Sequence, residues 1–272
     1  MKRFALALAA AFALAPALAQ AAVTVKGSDT MVILSQRWAE NYMKKNAGMK
    51  VQVTGGGSGT GIAALINGTT DAANSSREMK GEEKAKIKDK YSVDAVEIVV
   101  ARDGVGLYAH ESNGVSQLTM EQVKKIFMGD VTNWKDVGGA DAPIVLYSRE
   151  NSSGTYVFFK EHVLKNGDFA AAAQTLPGTA AVVNAISKEK NGIGYGGAAY
   201  AKGVKEIKVV GKDGQAVGPN AESVKSGKYP LSRDLFMYTR GKPSGEAQAF
   251  IDFCLSDEGQ AIVTQVGYYP VK

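Results

Sequence analysis

Cysteine is almost absent from this 272-residue chain. Cys254 is its one thiol, which excludes an intramolecular disulfide framework and any cysteine-rich zinc or iron–sulfur site; it lies in a helical pattern and is expected to pack in the core. Histidine is nearly as scarce. His110 and His162 stand far apart, with no metal-ligand spacing and no evident nucleophile to serve. Tracts of one charge sign are also missing. Basic and acidic residues are interspersed, without an Arg/Lys stripe interleaved with aromatics, so no nucleic-acid partner is expected. No repeat of fixed period and no low-complexity linker divides the chain. Its 45% apolar content is that of a globular protein, and its length allows one large domain or two of about 100–150 residues.

The one long apolar run lies at the start. Lys2 and Arg3 precede an uncharged stretch from Phe4 to Ala15, followed by small residues in Ala17-Leu18-Ala19 and Ala19-Gln20-Ala21. This order is expected of a secretory signal peptide over residues 1–21, cleaved near Ala19 to Ala21. The run is shorter than the roughly 20 residues that span a bilayer, and no cysteine lies nearby to take a lipid. The expected mature protein is soluble, monomeric and periplasmic. Losing residues 1–21, which carry Lys2, Arg3 and no acid, lowers the formal net charge from +5 to +3, too little to serve as a binding mechanism.

Beyond that segment, strand and helix patterns alternate, which predicts an α/β fold with parallel or mixed sheets and helices on their faces. Val23–Lys26 reads as a strand. Met31, Ile33, Leu34, Trp38 and Tyr42 then form a helical face. Met49, Val51 and Val53 alternate as a second strand, before a helix with Ile62, Leu65 and Ile66 inward that stops near Gly68. Glu82–Lys90 reads as a solvated helix. Val96–Val100 and Val105–Tyr108 are extended segments on either side of Arg102-Asp103-Gly104; Thr119–Met128 is helical, and Pro143–Tyr147 is a strand.

Three junctions share one design. Gly27-Ser28-Asp29-Thr30, Gly57-Ser58-Gly59-Thr60 and Ser152-Ser153-Gly154-Thr155 each follow a strand pattern, open a helix pattern and carry Ser-x-Thr. A helix N-terminus presents unpaired N–H groups and the positive end of the dipole, and glycine lets backbone N–H groups approach a ligand closely. Each Ser or Thr can serve as an ordinary N-cap, but three such ends converging would make an oxyanion cradle. Arg149, four residues before Ser153, can add a bidentate guanidinium. Ser76 or Arg77, in Asn74-Ser75-Ser76-Arg77, can join the cradle or simply begin the next helix. Enzyme templates fail here. In the P-loop register beginning at Gly56, Ile62 stands where lysine is needed, GxGxxG fits the glycine-rich stretch at 55–61 in no register, and Thr60 breaks the nucleophile elbow.

GSDTM at 27–31, TGGGSGTGI at 54–62, SSREM at 75–79, IFMGDVTNW at 126–134, SRENSSGTY at 148–156, GIGYGG at 192–197 and the tail FIDFCLSDEGQAIVTQVGYYPV together resemble the phosphate-binding receptors of bacterial phosphate ABC importers. The resemblance covers nearly all of the mature chain, in matching order. It implies a two-lobed class II periplasmic-binding-protein fold with a hinge and an interlobe cleft. Lobe one would span 23–101 plus 232–272 and lobe two 102–231, with crossings near Arg102-Asp103-Gly104 and Tyr229-Pro230-Leu231-Ser232. It implies a ligand set of Ser28, Thr30, Ser58, Gly59, Ser76, Arg77, Arg149, Ser153, Gly154 and Thr155 around inorganic phosphate, with no cofactor, no metal and no catalysis, and delivery to an inner-membrane permease. Two positions depart from the family pattern. Ser76 stands where an aspartate accepts the phosphate proton in the best-known members, and Asn151 stands where an aspartate often pairs with the ligand arginine. A receptor for another oxyanion such as sulfate, or a secreted phosphatase, are the rival expectations.

Overall fold

A computed structural model of the chain describes residues 22–211 and 213–272; the expected signal peptide lies outside the described residues. The strands are β1 (Ala22–Gly27), β2 (Lys50–Thr54), β3 (Ala72–Ser75), β4 (Ala95–Ala109), β5 (Gln117–Thr119), β6 (Val145–Arg149), β7 (Gln174–Leu176), β8 (Gly192–Gly197), β9 (Lys205–Val210), β10 (Ala216–Val217) and β11 (Ser232–Arg240). The helices are α1 (Val32–Lys45), α2 (Ser58–Asn67), α3 (Gly81–Tyr91), α4 (Met120–Met128), α5 (Gly154–His162), α6 (Gly178–Ile186), α7 (Ala221–Lys225), α8 (Gly245–Leu255) and α9 (Asp257–Val266). No helix among them is long and apolar enough to cross a membrane.

The strands form one mixed sheet whose main path runs β2-β1-β3-β11-β4-β8-β6-β7, with β9 joining β4 and carrying β5 and β10. It works as two halves. In the first, β1 lies parallel between β2 and β3, and β11 runs antiparallel between β3 and β4. In the second, the end of β4 pairs antiparallel with β8 and β9 while β6 and β8 are parallel. β4 belongs to both. Residues up to Gly104 pair with β11, and residues from Val105 pair with β8. The two extended segments read around Arg102-Asp103-Gly104 are therefore one 15-residue strand without a turn.

Each half buries apolar clusters of its own. Met31, Leu34, Trp38 and Tyr42 of the first helical turns pack with Val23, Val25, Phe250 and Cys254 on one face of the first half, and Ile62, Leu65, Ile87 and Tyr238 cover the other. The second half is built on Val105, Leu107, Phe127, Phe159, Ile193 and Tyr195, with Tyr108, Tyr147, Val182 and Ile186 opposite. One expected core residue is out of place: Ile33 is 41% exposed. At about 100° per residue, the stripe set by Leu34, Trp38 and Tyr42 continues through Ser35 rather than Ile33, and Ser35 is buried, where its Oγ accepts from Asn74 Nδ2 at 2.7 Å.

Candidate functional site

The cradle forms where β1, β2 and β3 release the chain at the edge facing α5. Parallel strands end side by side, so the loops after them meet at one rim of the sheet. Ser28 N–H is fixed by the Asn74 carbonyl at 2.9 Å, and Met31 N–H returns to the Ser28 carbonyl, which turns the chain into α1. The Ser28 hydroxyl then donates to Ser76 Oγ at 2.9 Å. Ser58, the first residue of α2, accepts from the Ser76 N–H at 3.0 Å, and its Oγ lies 3.4 Å from Ser76 Oγ. Three serines from three loops thus share one buried cluster.

The other half supplies α5. Thr155 Oγ1 lies 2.8 Å from Thr30 Oγ1, a hydroxyl pair across the cleft. Ser153 caps the helix by accepting from Tyr156 N–H at 3.2 Å, which leaves the N–H groups of Gly154 and Thr155 without intrahelical acceptors. The approach of the halves is close enough to need glycine. A Cβ on Gly154 would press against Ser58 Oγ and stand 2.7 Å from Ser76 Oγ, and one on Gly57, which holds φ at +93°, would stand 2.5 Å from the Ser152 carbonyl. The Gly59 N–H donates to that same carbonyl at 2.9 Å, so Gly59 links the halves directly.

Arg149, at the end of β6, is 1% exposed. It donates from Nη2 to Asp29 Oδ2 at 2.8 Å, from Nε to Glu150 Oε2 at 3.2 Å and from Nη1 to Thr179 Oγ1 at 3.0 Å. Asp29 belongs to the first half, so this ion pair spans the cleft. The second Asp29 oxygen accepts from Gly56 N–H at 2.7 Å, and its carbonyl accepts from the Tyr200 hydroxyl at 2.7 Å. Burial pushes the Tyr200 phenol up to about 12, so it remains a donor at physiological pH. A guanidinium carries five N–H donors. The three bonds above leave Arg149 two for a ligand.

Arg77 is placed elsewhere. Its guanidinium grips Glu83 with two bonds, 2.8 and 2.7 Å, and the Glu78 carbonyl with another. Burial works against the Glu83 charge, but the hydrogen bonds from Arg77 hold its carboxyl below the ordinary value. Both residues lie just past the end of β3: Ser76 turns toward the cradle, and Arg77 turns to Glu83 in the first turn of α3.

Arg233 is the residue that no motif marked. It lies directly opposite Asp103 in the β11–β4 register and donates to Asp103 Oδ2 from Nε at 3.0 Å and Nη2 at 2.8 Å. Its Nη1 reaches the Ser76 carbonyl at 3.0 Å, and Nη2 reaches Thr155 Oγ1 at 3.0 Å and Thr30 Oγ1 at 3.4 Å. Burial raises the Asp103 carboxyl, against the pull of Arg233. A signal was present. Arg233 shares strand parity with Leu235 and Met237, and Asp103 with Val105 and Leu107, so period-two alternation puts both charges on buried faces. Tyr268 is buried and supports the site: its hydroxyl donates to the Thr30 carbonyl at 2.6 Å.

Hydroxyls that both donate and accept, helix N-termini, and guanidinium groups suit a small anion stripped of water. Among the described residues no group of three or more His, Cys, Asp and Glu is placed to hold a metal ion.

A family model for a PBP superfamily domain matches residues 14–258. The phosphate-binding protein PstS of Pseudomonas aeruginosa is 37% identical over 264 residues, covering 90% of this chain and 81% of that protein. PstS of Bacillus subtilis is 34% identical, covering 93% and 82%. A substrate-binding protein of Clostridium perfringens, solved with bound phosphate, is 32% identical and superposes with a TM-score of 0.84 over 93% of this chain and all of that one.

Proposed function

Because this chain belongs to the PBP superfamily and, within it, to the family of the phosphate-binding protein PstS, we propose that it is an exported receptor that captures inorganic phosphate between its two halves and hands it to an ABC permease. The observation that carries the reading is the buried cluster of Ser28, Thr30, Ser58, Ser76 and Thr155 hydroxyls, drawn from both halves beside the Gly154 N–H. The two free donors of Arg149 complete it. We assign the lobes to 23–101 plus 232–272 and to 102–231, the ligand contacts to the cradle residues with Ser153 and Arg149, and no ligand contact to Arg77 or to Gly59, whose N–H is spent on the Ser152 carbonyl.

Mechanism follows from these parts. In the open form the cradle is split, with Ser28, Thr30, Ser58 and Ser76 on one lobe and α5 on the other. A phosphate bound by one set gains the second on closure. Exclusion of water strengthens each hydrogen bond at that step, and contacts to both lobes shift the population toward the closed form. Its outer shape is what the permease reads. The protein acts as a monomer, makes and breaks no bond in its ligand, and is delivered across the inner membrane by the leader.

The test is direct. Freshly purified protein is denatured and the released anion assayed. One equivalent of phosphate is the expected result. Absence of released phosphate, with no heat on titrating the refolded chain with phosphate, overturns the proposal. Sulfate belongs in the same titration. Ser76 offers a hydroxyl where a carboxylate would repel a fully ionised anion, so sulfate competing at equal concentration would favour a general oxyanion receptor.

A further inference from the structure

We infer that Arg233 is a second anion-binding guanidinium of this site, delivered from the strands that cross between the lobes and held in place by Asp103. The inference rests on the phosphate reading above and adds a residue to it.

The geometry separates Arg233 from an ordinary structural arginine. Its side chain is more than nine-tenths buried, yet its Asp103 partner accounts for only part of its donor capacity. The remainder of the fork lies against the cradle, on the Ser76 carbonyl and on the hydroxyls of Thr30 and Thr155. Those two hydroxyls belong to opposite lobes. Arg233 donates to both hydroxyls and one hydrogen is spent within the Thr30–Thr155 pair, so the other hydroxyl is left with its own hydrogen to give to an anion. Phe158, one turn beyond Thr155 on α5, places its ring 5.2 Å from the guanidinium carbon and fixes the cation against the second lobe.

Charge makes the same point. Arg149 faces two carboxylates, Asp29 and Glu150; its positive charge is more than matched once the lobes meet. Arg233 faces one, Asp103. A buried dianion needs positive charge close by to offset its desolvation, and the Arg233 guanidinium touches cradle hydroxyls through Nη2. Asp103 presets it. Both Arg233 Nε and Nη2 converge on one carboxylate oxygen, so the fork has no freedom to swing away when the lobes part, and binding costs little side-chain entropy.

The competing explanation is that Arg233 only neutralises Asp103. Arg233→Gln alone would leave that carboxylate buried without a partner and risk the fold, so the decisive variant is the double substitution R233Q/D103N, which removes both charges and retains a hydrogen-bonding pair. It is compared with wild type by thermal melting and by phosphate calorimetry across the second ionisation of phosphate. The inference expects a melting temperature near wild type, an affinity about 10- to 100-fold lower, and a flatter rise of affinity as phosphate becomes the dianion. R233K, which keeps the charge without the fork, should fall between the two. A double variant with wild-type affinity and pH dependence overturns the inference while leaving the phosphate reading intact. Wild-type protein that binds no phosphate overturns both.

Discussion

Two buried arginines, Arg149 and Arg233, line the cleft, and the two are held in opposite ways. Arg149 takes Glu150 and Thr179 from its own lobe and Asp29 from the other. Arg233 takes Asp103 from the neighbouring strand of the same sheet, in register. The first arrangement exists only when the lobes meet. The second is a property of strand pairing and persists when they separate. One arginine therefore registers closure, and the other is set before the ligand arrives.

Breaking the approach of the lobes should have the largest effect. Gly154→Val adds atoms between α5 and the hydroxyls of Ser58 and Ser76 without offending the helix at its first turn. Expected is a loss of phosphate affinity of more than about 100-fold at an almost unchanged melting temperature, read by calorimetry and thermal denaturation. Next comes the ion pair that crosses the cleft. Asp29→Asn keeps an acceptor for the Gly56 N–H but deprives Arg149 of its partner in the other lobe. Phosphate release in stopped flow should quicken about 10-fold, with association little changed; unchanged release would show that Arg149 holds the closed form without Asp29.

An effect on stability alone, with phosphate binding unchanged, sharpens the picture at the Arg233 end. Glu206, on β9, is half-buried beside Gly106, and its buried Oε1 has no hydrogen-bond partner among the described residues. Burial, and then the charge of Asp103, push its carboxyl from the ordinary 4.5 up to about 7. The folded state therefore holds this proton more tightly than the unfolded chain does. Its stabilising contribution is full below about pH 4.5 and is lost as pH rises through about 7. Glu206→Gln should remove that slope and raise stability at pH 8 by about 2 kcal/mol, measured by urea unfolding at a series of pH values. A variant with the wild-type slope would assign the pH dependence to Asp103 instead.

Much of this was legible beforehand, for a physical reason. Ser28, Thr30, Ser58, Ser153, Gly154 and Thr155 announce themselves because a strand, a glycine and a capping hydroxyl at a helix start are local in sequence, and parallel strands must release their loops at a common rim. The alternation of strands and helices made the α/β class plain on the same grounds. Arg77 and Arg233 show where local reading fails. Arg77 sits inside a motif, but the bend after β3 carries it to Glu83. Arg233 and Asp103 are 130 residues apart, and only the pairing of β11 with β4 makes them a unit. Strand parity marked both as buried; the register that joined them has no sequence signature. The continuity of β4 was hidden in the same way, because Arg102-Asp103-Gly104 has the composition of a turn and becomes a strand through the partners on either side of it.

That continuity has a mechanical consequence. A strand that leaves one half of the sheet and continues into the other behaves as a torsion bar. A relative rotation of the lobes must be absorbed as small changes in φ and ψ spread along β4 and the chain entering β11, since the ladders on both sides of Gly104 and Val105 keep their partners. Such a spring has no loop to order and no peptide to isomerise. Opening and closing then belong to the microsecond-to-millisecond range of collective hinge motion, fast enough that the arrival of the anion, rather than the protein's own recoil, sets the pace of capture.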